Sequence, residues 1–230
     1  MVQLFGPEHL ILLGVYFALA AALGFFVWRK RDQQDFIRKM LVVIAILHIV
    51  VICINRVSIC IRRDTFNDLL PDTFCGFLSI ISPIIILTDK KQKRLLHGLL
   101  FPMFMGGFLA LIYPSYLSQA SSIFYIPTIS GLTHHEFLLI EAVVILASGY
   151  LVPTVKRWYA VLMILGIYMV YGGILMLAGI YPAIEFINKP ILDAKILEPY
   201  IILPLAFAVQ CLILLGIELY RKVRHRPRRA

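Results

Sequence analysis

The chain reads as seven long apolar runs separated by short polar breaks. The runs cover roughly His9–Trp28, Met40–Ile61, Leu69–Thr88, Leu95–Tyr113, His134–Val155, Trp158–Tyr181 and Pro199–Tyr220. Each is close to the 20 residues that a helix needs to cross a bilayer. Runs of this length and apolarity predict membrane helices. The first run lacks the basic leader and small-residue end of a cleavable signal, and it reads as a retained helix. No internal repeat or low-complexity linker interrupts the series. The expected architecture is all-α: a polytopic membrane helix bundle of about seven transmembrane helices, forming a single transmembrane domain over residues 1–230.

The breaks carry the orientation. The loops after the first, third and fifth helices, together with the tail from Arg221, hold 17 of the 22 Lys and Arg residues. The loops on the opposite side hold four, and Arg56 lies within a helix. Cytoplasmic loops collect positive charge, so the N-terminus is expected outside and the C-terminus in the cytoplasm. Composition agrees with a membrane protein: 60% hydrophobic residues, 15% charged and a mean hydropathy of +0.87. A soluble domain carries about 25% charged residues. The net charge of +9 follows from the topology clusters and does not call for nucleic acid. The four cysteines, Cys53, Cys60, Cys75 and Cys211, form no CxxC pair, which leaves zinc-ribbon and thioredoxin-type motifs unsupported.

Ionisable groups inside membrane helices are costly and mark functional sites. Asp72, Cys75, Ser79 and Ser82 recur at helical spacing on the third run, which puts them on one face. The fifth run opens with Thr133-His134-His135-Glu136, and His134, Glu141 and Ser148 repeat every seven residues. Together with His9 and Arg56, these residues gather toward the outer end of the bundle. His48 falls nearer the middle. A thiol beside an imidazole is the minimum for nucleophilic acyl transfer. Bland readings compete: a cysteine in a membrane helix is usually a packing residue, Asp72 suits a helix cap, and Arg56 suits a headgroup anchor. The Gly106-Gly107 and Gly172-Gly173 pairs suit close helix packing, and the basic tail suits topology with some affinity for anionic lipid.

Leu69-Leu70-Pro71-Asp72-Thr73-Phe74-Cys75 resembles the LP-x-x-x-C signature of a family of small integral membrane proteins, the YwaF-like and transmembrane protein 164 proteins. Other features follow in the family's order: Phe5-Gly6-Pro7-Glu8-His9-Leu10, the basic Lys90–Arg94 loop, the Tyr113-Pro114 break, a histidine opening an apolar helix, and Asn188-Lys189-Pro190. The resemblance implies a membrane-embedded acyltransferase that moves acyl chains between phospholipids and lysophospholipids. It implies Cys75 as nucleophile and His134 or His135 as base. On that reading Arg56, Asp72, His9 and Asn188 are candidate substrate contacts, with Arg56 suited to a phosphate and Asn188 to an oxyanion. Membrane lipids are the expected partners, and neither metal nor soluble cofactor is implied. A bacterial plasma membrane is the expected location, with the endoplasmic reticulum second. Two further function classes remain: a lipid ester hydrolase with the same site, and a non-enzymatic carrier, binding subunit or assembly protein.

Overall fold

The computed structural model describes residues 2–88, 93–114, 116–119, 122–187 and 199–224. Its elements are α1 (Pro7–Arg29), α2 (Gln34–Arg63), α3 (Phe74–Thr88), α4 (Lys93–Ile112), α5 (Ile126–Ala147), α6 (Ala160–Leu177) and α7 (Pro199–Arg224). Six of them are long and apolar enough to cross a bilayer; α3, with 15 residues, is shorter. At 1.5 Å per residue α3 covers roughly 22 Å of a hydrocarbon core about 30 Å thick. The protein is thus a polytopic helical membrane bundle. Broad faces of leucine, isoleucine, valine and phenylalanine are exposed, Ile11, Phe25, Val43, Ile61, Val170 and Leu212 among them. Those faces are at home only against lipid tails.

α5 is the centre. Fifteen of its 22 residues are buried, and α1, α2, α3 and α4 pack around it. Close approach requires a glycine at one point in particular. A Cβ on Gly107 of α4 would sit 2.7 Å from the His135 carbonyl oxygen and 2.8 Å from the Leu139 amide of α5. Gly106, next to it, faces the Cys75 sulfur instead, 3.2 Å from where its Cβ would stand. Of the second expected pair, Gly172 packs on Ile184 and Ile187, whereas Gly173 has nothing within 4 Å. α6 leans on α4, and α7 lies at the edge with most of its surface facing outward.

Two helix starts differ from the sequence expectation, and both shape the site. α3 begins at Phe74, not Leu69; a 3-10 turn at Asn67–Leu69 and an irregular stretch through Thr73 precede it. Thr73 is the cap: its Oγ1 accepts from the Gly76 amide at 3.2 Å, and its carbonyl accepts from Phe77 at 3.0 Å. The Glu185 carboxylate takes the Phe74 amide at 2.5 Å. Asp72 therefore lies before the helix and is not its cap, and Cys75 occupies the first turn. That stretch is satisfied by tyrosines: Tyr171 donates to Pro71 O at 3.0 Å and Tyr168 to Asp72 O at 3.1 Å. The Tyr181 hydroxyl lies 2.8 Å from Leu70 O. Irregular backbone at membrane depth needs such partners. Burial and the carboxylates of Asp68 and Asp72 push the Tyr181 phenol up, which keeps it a donor.

α5 begins at Ile126, eight residues before His134. The polar look of Pro127-Thr128-Ile129-Ser130-Gly131 hid those two turns. Pro127 suits a helix start, and the Ser130 and Thr133 hydroxyls bond back to the Ile126 and Ile129 carbonyls at 2.5 and 2.7 Å. His134 thus sits about 12 Å along α5 instead of at its mouth.

Candidate functional site

One end of the bundle holds a cavity of about 430 Å³. It is enclosed by the C-terminal turns of α2 and α4, the N-terminal turns of α3 and α5, and the connector carrying Glu185. Cys75, His134, His135, Arg56 and Asp72 all line it. The helix starts explain the convergence: Cys75 in the first turn of α3 and His134 in the third turn of α5 reach the same space.

Each side chain is placed by its neighbours. The Cys75 sulfur rests in the room left by Gly106. The Ser79 hydroxyl, one turn below, donates to the Cys75 carbonyl at 2.9 Å and lies 2.9 Å from His134 Nδ1. Its single proton can serve only one of these two; spent on the Cys75 carbonyl, it leaves Nδ1–H of His134 as the donor and Nε2 with the lone pair. His135 lies beside it with ring centroids 4.1 Å apart, and its Nδ1 is buried without a partner among the described residues. Arg56 turns inward to the cavity and not to headgroups; its Nε is buried and unpartnered among the described residues. Gly76 admits the guanidinium, because a Cβ there would meet Arg56 Nη2 at 3.3 Å and Pro71 at 2.6 Å. Toward the exposed rim Arg63 pairs with Asp68 at 2.9 Å and Arg62 bonds Gln119.

Two other expectations fall differently. His9 does not line the cavity. Its Nδ1 accepts from the Phe5 amide at 3.2 Å and its Nε2 donates to Leu111 O at 2.9 Å. Both nitrogens are spent tying α1 to the end of α4. Asn188 lies outside the described residues.

Tyr116 is a lining residue that sequence reasoning missed, as is Glu185. Tyr116 stacks on His135 at 6.3 Å, its ring fits against α5 because residue 131 is glycine, and its hydroxyl is buried without a partner among the described residues. Burial pushes this phenol well above its ordinary value, so it stays a hydrogen-bond donor. The Tyr113–Tyr116 stretch after an apolar helix gave only a weak signal of this.

The midplane polar set pairs within itself except at His48 Nε2, which is buried without a partner among the described residues. His48 Nδ1 and Glu141 Oε1 lie 2.9 Å apart, and Ser82 donates to Glu141 Oε2 at 2.7 Å. Both His48 and Glu141 are fully buried and neither lines the cavity. Such a network fits a structural tie between α2, α3 and α5 better than a carrier site open to solute. Cys53 faces outward, and neither Cys60 nor Cys211 lines the cavity. Among the described residues, no group of three or more His, Cys, Asp or Glu side chains converges on a metal position.

Fold and cavity together define a polytopic helical membrane protein with a polar chamber at one end. A profile of the TMEM164 family matches residues 4–217. The chain belongs to that family. No curated protein and no solved structure gives a significant match.

Proposed function

We propose that the protein is a lipid acyltransferase in which Cys75 is the nucleophile and His134 the base. The observation that carries this reading is the Ser79 bridge, which ties the His134 ring to the turn bearing Cys75 and leaves Nε2 as the basic nitrogen. The reading favours His134 over His135, whose Nδ1 has no such anchor. Nε2 takes the thiol proton as Sγ attacks the donor's ester carbonyl. The tetrahedral adduct collapses, the ester C–O bond breaks, and the imidazolium returns the proton to the departing glycerol oxygen. An acceptor hydroxyl then gives its proton to Nε2 and attacks the thioester. The C–S bond breaks and the thiol is restored.

The remaining lining residues fit supporting roles. Tyr116 offers its hydroxyl to the developing oxyanion, and the Cys75 amide in the first turn of α3 lies at the positive end of the helix dipole. Arg56 offers its guanidinium to a lipid phosphate. Asp72 places its carboxylate in the lining while its carbonyl accepts from Tyr168 and from the Glu185 amide. The reading takes the chain as one domain; the basic-residue bias favours an outer N-terminus and with it an outer position for this chamber, in keeping with a bacterial plasma membrane.

The test gives purified protein in lipid nanodiscs a phospholipid labelled in its acyl chain and an unlabelled lysophospholipid. The expected result is label on the former lysophospholipid. Label released only as free fatty acid, with acceptor in excess, replaces the transferase by the hydrolase. No turnover of any phospholipid class rejects the enzyme.

A further inference from the structure

A second cavity, of about 190 Å³, lies at the opposite end of the bundle, between α4 and α7 and beside Leu146 and Pro153. It is walled by carbon: Phe101, Phe104, Met105, Leu214 and Ile217. Two polar side chains interrupt that wall, His97 at 4% and Gln210 at 3% exposure. His97 Nε2 accepts the Thr154 amide at 3.0 Å. A backbone N–H can only donate, so Nε2 is unprotonated, the ring is neutral, and Nδ1 carries the hydrogen. That Nδ1–H is buried and has no partner among the described residues, and the same holds for Gln210 Oε1. An unused donor and an unused acceptor thus lie at the wall of an otherwise apolar pocket. Buried polar groups of this kind ordinarily have partners.

We propose that this pocket binds a long-chain fatty acid by its protonated carboxyl group. The acid's carbonyl accepts from His97 Nδ1–H and its O–H donates to Gln210 Oε1. An ionised carboxylate has no proton for Gln210 Oε1, an ester likewise, and an alkane matches neither Oε1 nor His97 Nδ1–H. The volume is small beside the 300–1,000 Å³ usual for ligand pockets, so it takes the head end of the chain. The rim residues Leu146 and Ile213 are 39% and 46% exposed, which opens a path for the tail into the bilayer. The proposal is independent of the chemistry assigned to Cys75, whose cavity shares no lining residue with this one.

The experiment uses the full chain in phosphatidylcholine nanodiscs with hexadecanoic acid bearing a photoactivatable diazirine on its chain. The expected labelling maps to α4 or α7 beside the pocket. Palmitic acid competes at least tenfold better than methyl palmitate, and hexadecane does not compete. Gln210→Leu keeps the pocket apolar and full, so it holds or raises thermal stability while cutting labelling at least fivefold. Equal competition by acid and ester overturns the proposal, as does labelling away from the pocket or undiminished labelling of folded Gln210→Leu. Should that variant fail to fold, the competition series on the unaltered protein decides alone; a pocket holding only water gives no saturable label and also overturns it.

Discussion

Ser79→Ala isolates the contact on which the choice of base depends. The Ser79 oxygen is the only partner of His134 Nδ1 among the described residues, at 2.9 Å, and His134 is 3% exposed. Removing it leaves a buried N–H unsatisfied, at a cost of about 1–3 kcal/mol. If the proton then shifts to Nε2 to escape that cost, the base is lost from the cavity side. The tautomer penalty appears in the rate, and 1–3 kcal/mol corresponds to roughly a 5- to 150-fold fall in kcat. Folding suffers less, because the Cys75 carbonyl stays within the helix and alanine is the better helix former. The assay is acyl transfer in nanodiscs under saturating donor, alongside thermal unfolding. KM should hold while kcat falls. In the double variant with His134→Ala the serine should matter no further, since residues acting as a unit are not additive. Unchanged kcat in folded Ser79→Ala, or additive losses in the double variant, would refute the assignment.

Other outcomes follow from the same geometry. Tyr116→Phe removes the free hydroxyl in the cavity and should lower kcat roughly 100-fold with KM little changed; equal loss of binding would show a substrate contact instead. Gly107→Ala drives a Cβ into two backbone atoms of α5, which cannot yield as a side chain does, and should cost about 1–3 kcal/mol by overpacking, read as a lower Tm in detergent. Tags placed at each end should be accessible from outside only at the N-terminus of intact cells, and a cytoplasmic N-terminus would contradict the outer placement of the chamber.

The helical bundle was legible because a bilayer imposes a length and a polarity that few sequences meet by chance. Helix starts were less so. At α3 the run from Leu69 looked continuously apolar, and the cap that delays it to Phe74 depends on Glu185, over a hundred residues away. At α5 the segment Ile126–Gly131 looked like a loop, because the polarity of Ser130 is hidden by a bond to the Ile126 carbonyl one turn back. Cys75, His134, His135 and Arg56 stood out as polar groups in apolar runs, and burial in one chamber is what makes such groups rare elsewhere. His9 stood out in the same way, and its imidazole serves two backbone groups. The same reasoning passed over Tyr116 and Ser79's link to His134, since neither a tyrosine near an interface nor a serine in a helix is unusual until its partner is known.

The central claim is that an acyl chain passes through Cys75. The direct measurement is to quench the purified protein after brief exposure to labelled donor without acceptor, and to locate the label by peptide mapping. The account predicts a hydroxylamine-sensitive thioester on Cys75, discharged when lysophospholipid is added, and absent in Cys75→Ala although that variant folds. Full acyl transfer by Cys75→Ala would contradict it.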